Sequence, residues 1–161
     1  MNIFVLDLDP KLCAQYHCDS HVGKMIIESC QLLSAAHWRY NPNAHKIKNL
    51  CKPTHMNHPC AQWVRESRDN YLWLLDLYHA LHSEWMYRFG KVHGNYTLRL
   101  DSIKQPPRLL ESHGRTPFAL AMDDKFKIQG DAVASYRNYY KHGKQHLHKW
   151  TRREVPEWLN Q

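Results

Sequence analysis

An all-α fold is predicted by this sequence: a compact, single-domain helical bundle with a short extended N-terminal segment and irregular connecting loops. Three observations point that way. Apolar residues recur every three or four positions from Val22 to Leu33 and again from Ala61 to Trp85, the rhythm of packed helices. Helix stops punctuate the chain at Asn41-Pro42-Asn43, Gly90, Pro106-Pro107 and Gly143, since proline cannot continue a helix and glycine readily ends one. A length of 161 residues with 43% hydrophobic content suits one domain with a full core, and no repeat or low-complexity linker divides it.

Taken in order, Asn2-Ile3-Phe4-Val5-Leu6 is an apolar run, either a buried entry segment or a stub of strand. Asp9-Pro10 carries the cap and first-turn chemistry of a short helix reaching about Tyr16. Asp19 or Ser20 caps the main helix, which continues to about Arg39 and leaves His17 just outside it. Residues 43–58 form a basic, irregular connection lying over a cleft. Pro59 opens a long helix to Gly90, with a kink near Arg68-Asp69 and with Arg65, Glu66, Arg68 and Asn70 facing outward. His79 and His82 on that helix read as ordinary interfacial histidines. A shorter helix spans Asn95 to Lys104, and residues 107–128 are mostly irregular. Gly130-Asp131 caps a helix through Lys141 that ends at Gly143. The organisation expected is a single domain over 1–161, with a helical core at 1–90 and a basic, aromatic, nucleic-acid-facing part at 125–153.

The main helix carries the candidate chemistry. At about 100° per residue, His17, His21, Lys24, Glu28 and Gln31 fall within an arc of about 80°. Val22, Met25, Ile26, Ile27, Cys30, Leu32 and Leu33 cover most of the rest. A surface helix has the opposite proportions, so this one is expected to be buried with a thin polar line. Burying such groups is costly unless they pair or face a cleft. The expectation is a reactive row at the floor of a shared hollow, with Gly23 allowing close approach of another backbone or a ligand. A packing network of buried polar groups is the alternative.

Within that row Lys24 and Glu28 are spaced i, i+4, so they can touch. A desolvated lysine can attack a sugar or carbonyl carbon and form a Schiff base. A neighbouring carboxylate can move protons or stabilise an oxocarbenium-like centre. His17 and His21 are suited to proton transfer near neutral pH. The 13 histidines also suggest a metal, zinc or another divalent ion, held by His17, His21, His55 and His58 with Cys60 nearby. No zinc-finger or HExxH spacing occurs, and Lys24 in the same line repels a cation, so no metal or cofactor is the primary expectation.

Charge points to a polyanion. The chain is +7 overall, and residues 125–153 hold eight Lys or Arg against one Asp while the remainder balances. Cations contact phosphates and rings stack on exposed bases, and the run Tyr136-Arg137-Asn138-Tyr139-Tyr140-Lys141 offers both. Lys52, Asn57, His58, Arg65, Arg137, Lys141, Lys149 and Arg152 are the candidate nucleic-acid contacts. No stretch approaches the roughly 18 apolar residues of a membrane span, and the start lacks a signal-peptide pattern. Five cysteines, an odd count without a CxxC pair, fit a reducing cytoplasmic setting. Oligomeric state is not set by these features.

The pattern Asp9-Pro10, Ala14, Asp19, Val22-Gly23-Lys24, Glu28, Gln31-Leu32-Leu33, then His58-Pro59-Cys60-Ala61 and Trp63 resembles small phage and bacterial proteins of the pyrimidine-dimer DNA glycosylase, endonuclease V-type, family. The likeness runs through about the first 90 residues. It implies an all-helical single domain that binds damaged duplex DNA, extrudes a base, cleaves the glycosidic bond and then breaks the strand. It also implies an N-terminal α-amine as nucleophile, exposed by removal of the initiator methionine, and a helix-borne glutamate. Carried onto this chain, the glutamate is Glu28 and the histidine beside it His17 or His21. Asn2 is too large for ordinary methionine removal, so the amine belongs to Met1 or the task passes to Lys24.

The leading expectation is therefore a DNA glycosylase, with or without AP-lyase activity, using Glu28, Lys24 or Met1, and His17 and His21, in host cytoplasm if phage-encoded. Two others stand beside it. One is a metal-dependent hydrolase or nucleobase-modifying enzyme built on the histidines. The other is a non-catalytic nucleic-acid-binding protein.

Overall fold

Asp9 accepts a hydrogen bond from the Lys11 amide and Pro10 occupies the first turn, so α1 (Pro10–Tyr16) begins where its capping chemistry dictates. The computed structural model describes residues 1–161 and holds five further helices: α2 (Asp19–Tyr40), α3 (Pro59–Glu66), α4 (Arg68–Phe89), α5 (Gly94–Ile103) and α6 (Ala132–Gly143). There is no strand. The all-α bundle is as predicted, and residues 2–6 are an irregular, buried segment that joins no sheet. No helix is long and apolar enough to cross a membrane.

α2 and α4 form the central pair. α1 lies against α4, α3 against both, and α5 against α2. Gly23 serves this pairing: a Cβ there would stand 2.6 Å from the Trp85 ring. The close approach expected at Gly23 is thus that of a neighbouring helix, not of a ligand. His79 and His82 meet Tyr96 across the α4–α5 interface, His79 Nδ1 at 2.6 Å from its hydroxyl and His82 stacked on its ring.

Two local expectations are corrected. The long helix predicted from Pro59 to Gly90 is two helices, broken at Ser67. Ser67 is extended, with φ −151°, and its hydroxyl accepts the Asp69 amide, so a serine competing for the backbone starts α4 afresh. Gly90, left-handed at φ 67°, ends α4 as predicted. Asn70, expected to face outward, is fully buried. Its amide donates to the Trp63 carbonyl and the Thr116 hydroxyl, both at 2.7 Å, and accepts from the Thr116 amide at 3.0 Å. Those partners offset the cost of burying it. They also pin the irregular stretch after α5, where Phe118 packs on Trp63 and Trp73.

The C-terminal part closes around the start of α2. The Asp19 carboxylate, expected as a cap, instead accepts from Thr151 at 2.8 and 2.6 Å and from Arg88 at 3.0 Å. Glu84 holds both Arg88 and Arg153, at 2.7 and 2.9 Å. α6 packs on the N-terminal segment, where Phe4 meets Tyr136, Tyr139 and Tyr140 with ring centroids 5.4–6.0 Å apart. Asp131 caps α6 by accepting from the Ala134 amide.

Candidate active site

The middle of α2 and the start of the chain meet at one atom pair. The backbone nitrogen of Asn2 donates to Glu28 Oε2 at 2.9 Å. Glu28 is only 13% exposed, and it keeps this partner because residues 2–6 are too apolar to stay in water. Asn2 itself is 9% exposed, Ile3 and Phe4 4% each, and Leu6 fully buried. Burying that run docks the N-terminal end of the chain onto α2.

Lys24 stands at the rim. Its Nζ lies 3.9 Å from Glu28 Oε1, and its side chain is 64% exposed. The expected desolvated lysine is therefore not found: water still solvates the ammonium, and an exposed pair at this distance contributes little. Ile27, counted among the buried apolar positions, is also exposed, on the same side of α2.

His17 and His21 are corrected more strongly. His17 lies outside α2, as the C-cap of α1, and is fully buried. Its Nδ1 meets the Cys13 carbonyl at 2.7 Å, and its Nε2 has no partner. His21 stacks on Phe4 at 4.4 Å and its Nδ1 meets the Tyr140 hydroxyl at 2.6 Å. Burial pushes His17 down to about 4 and His21 down to about 3, the latter helped by His17, Lys144 and Lys24. Both rings are neutral core groups at physiological pH. None of the four main cavities joins them to Glu28 and Lys24. The row divides because Phe4 and Tyr140 cover its first part while its second part is left at the surface.

His58 does reach the site. It caps α3, with Nδ1 accepting the Cys60 amide at 3.1 Å. Partial burial lowers its pKa first, then the N-terminal ammonium of Met1 and His55, with Glu28 opposing them. That ammonium therefore lies in the same neighbourhood, one residue beyond the nitrogen on Glu28. Cys60 is buried beside them, its thiol pushed up to about 11 by desolvation, and it donates weakly to Asn2 Oδ1. His55 is exposed, left-handed at φ 49°, and bonded to Thr54. His17, His21, His55 and His58 form no common shell, and no group of three or more His, Cys, Asp or Glu side chains is placed to hold a metal ion.

The candidate phosphate contacts separate in the same way. Lys52, Asn57 and Lys149 are exposed. Arg65 is spent on the loop, donating to the Met56 carbonyl at 2.5 Å. Arg137 is a structural cation, donating to the Leu6 carbonyl and to Asp7 and lying on the Tyr16 and Trp158 rings. Lys141 donates to the Gln161 carbonyl. Arg152 lies over Tyr87 and donates to its carbonyl at 3.2 Å. Lys144, part of the basic run but not singled out by pattern, sits 6.0 Å from the Phe4 ring centroid and 5.1 Å from that of Tyr139. The largest cavity, about 950 Å³, lies at the other end of the N-terminal segment, between Asp7, Leu8, Phe118 and Trp158. Glu28 is not in its wall.

A family model described as pyrimidine dimer DNA glycosylase matches residues 1–97. The chain belongs to the pyrimidine dimer DNA glycosylase family. The match takes in both partners of the contact between Asn2 and Glu28, together with Lys24 and His58. It makes the chain a DNA glycosylase, with DNA as its substrate. It stops before α6, so Tyr136, Tyr140 and Lys144 lie outside it. No curated protein and no solved structure matches the chain.

Proposed function

We propose that this DNA glycosylase cleaves the glycosidic bond of one base of a pyrimidine dimer in duplex DNA by attack of an amine supplied by the start of the chain, with Glu28 as the assisting carboxylate. The observation that carries the reading is the 2.9 Å hydrogen bond from the residue 2 nitrogen to Glu28. Asn2 is too large for ordinary methionine removal, so this reading requires a dedicated processing step; loss of Met1 then turns that amide nitrogen into an α-amine at the same place. An α-amine sheds its proton more readily than a lysine side chain does, and the exposure of Lys24 argues against the lysine.

In the reaction the nitrogen bonds to C1′ of the extruded nucleotide, and the glycosidic bond breaks with its electrons passing to the base, which stays tethered to its dimer partner. Glu28 takes the proton that the amine loses and steadies positive charge on the sugar. Opening of the sugar ring, with its oxygen taking a proton, leaves an imine between protein and C1′. Loss of a C2′ proton and departure of the 3′ phosphate then break the strand, which is the AP-lyase step. The rim beside Glu28, where Lys24 and Ile27 are exposed, suits a polymer that brings its own walls. Lys24 and His58 stand beside the centre, and with Lys52 and Lys144 they supply cations and donors for phosphates.

Borohydride reduction during turnover of a duplex carrying one pyrimidine dimer tests this. A covalent protein–DNA adduct is expected, mapping to the α-amine of Asn2 by peptide mass spectrometry. Mapping to Met1 moves the nucleophile one residue outward and keeps the amine chemistry. An adduct on Lys24 overturns the assignment of the nitrogen. No adduct with active enzyme overturns the amine mechanism altogether.

A further inference from the structure

We propose that Tyr136 on α6, acting through the side chain of Asn2, is a positioning residue that holds the residue 2 nitrogen on Glu28. This rests on the reading of that nitrogen as the reacting atom.

Chain ends are the parts of a protein most prone to fray unless they are tied down. A nucleophile at a chain end therefore needs an anchor, since an error of about 1 Å in a reacting group costs up to about a hundredfold in rate. Burial of Ile3 to Leu6 fixes the segment but leaves residue 2 free to turn about its own backbone.

The Asn2 amide removes that freedom. Its Nδ2 donates to the Ala121 carbonyl at 2.8 Å. Its Oδ1 accepts the Ile3 amide at 2.8 Å and the Tyr136 hydroxyl at 3.0 Å. Both ends of one short side chain are thus held, and the backbone nitrogen two bonds from its Cβ faces the carboxylate.

Tyr136 is fully buried, and its hydroxyl is the hub. It shares its single proton between Asn2 Oδ1 and the Ala119 carbonyl at 2.7 Å, and it accepts the Ala121 amide at 3.2 Å. It therefore orders the 119–121 strap that supplies the Nδ2 acceptor as well as touching Oδ1 directly. Tyr136 makes no hydrogen bond with Glu28, so its effect passes through Asn2. Its place beyond the matched residues 1–97 gives the C-terminal part a share in the chemistry that its basic charge alone did not suggest.

The test is a double-mutant cycle of Tyr136→Phe and Asn2→Ala, each protein released from an N-terminal fusion by a protease that leaves residue 2 first and checked by intact mass. Single-turnover rates on a dimer-bearing duplex are read together with the enzyme concentration at half-saturation and the thermal midpoint. Each single variant is expected to slow glycosidic-bond cleavage roughly 10- to 100-fold, with half-saturation unchanged within about twofold. The double variant is expected to be no slower than the slower single, because both changes break one device. Tyr136→Phe at the wild-type rate overturns the proposal, as does a double variant whose losses multiply. If wild type itself forms its adduct on Lys24 or none at all, the residue 2 reading has failed first. If wild type reacts at Asn2 and Tyr136→Phe reacts as fast, the clamp alone has failed.

Discussion

His21 and Glu28 stand about two turns apart on one helix and share one arc of its surface, yet the fold treats them in opposite ways. His21 is 3% exposed, stacked on Phe4 and neutral. Glu28 is partly open and holds the start of the chain. The difference lies in what covers each turn: Phe4 and Tyr140 close over His21, whereas only the tip of the N-terminal segment reaches Glu28. Position on a helix arc tells which groups share a direction. It does not tell which of them meet water.

The largest effect that sharpens this contrast is at Glu28. Glu28→Gln is expected to lower the single-turnover rate by about a thousandfold, with duplex affinity within about threefold and an unchanged thermal midpoint. Activity near wild type in that variant would end the assignment of the carboxylate and leave the second part of the row without chemistry.

The next effect is at the covered end and is one of stability. His21→Ala removes a ring packed on Phe4 and Tyr140 and is expected to destabilise by about 3 kcal/mol, read from urea unfolding, while folded molecules keep their rate. The pH dependence has a definite sign. Folded His17 and His21 take up protons only at about 4 and about 3, whereas the unfolded chain binds them below about 6.5. The unfolded state binds more protons throughout that window, so stability is lost as pH falls from about 6.5 toward 3–4. His21→Leu should flatten this loss. An unaltered slope would mean that His21 is not held neutral.

Smaller again is Arg137→Ala, expected to cost about 1–3 kcal/mol of stability through its lost contacts with Asp7 and Leu6. The salt dependence of DNA binding should stay as in wild type, and a shallower slope would return Arg137 to the phosphate contacts. Least is Lys24→Ala, for which affinity should fall a few-fold and the salt slope of binding by about one unit. Complete loss of glycosidic-bond cleavage there would reverse the contrast between rim lysine and docked nitrogen.

The helices were largely legible in the sequence. Asp9-Pro10, Gly90, Gly130-Asp131 and the apolar rhythm of α2 and α4 are local signals, and local chemistry was enough to place them. Ser67 was missed because an apolar pattern passes straight across a cap, although Ser67-Arg68-Asp69 carried the capping signal. The site was legible as residue types and not as an assembly. Glu28 was found, but Asn2 was noticed only for its size, and Tyr136 only as one ring in a basic run. Arg137 looked like a phosphate contact because a sequence does not show that Asp7 lies opposite it.

Composition and periodicity alone determined an all-helical chain, its principal breaks, its buried central helix and its excess of positive charge. These depend on neighbours a few residues apart, where spacing dictates geometry. Only the tertiary structure decided which polar groups of that helix would be sealed and which would receive the first residues of the chain. That choice is made by Phe4, Tyr136 and Tyr140, which arrive from more than a hundred residues apart, and burial by so distant a partner leaves no trace in local spacing.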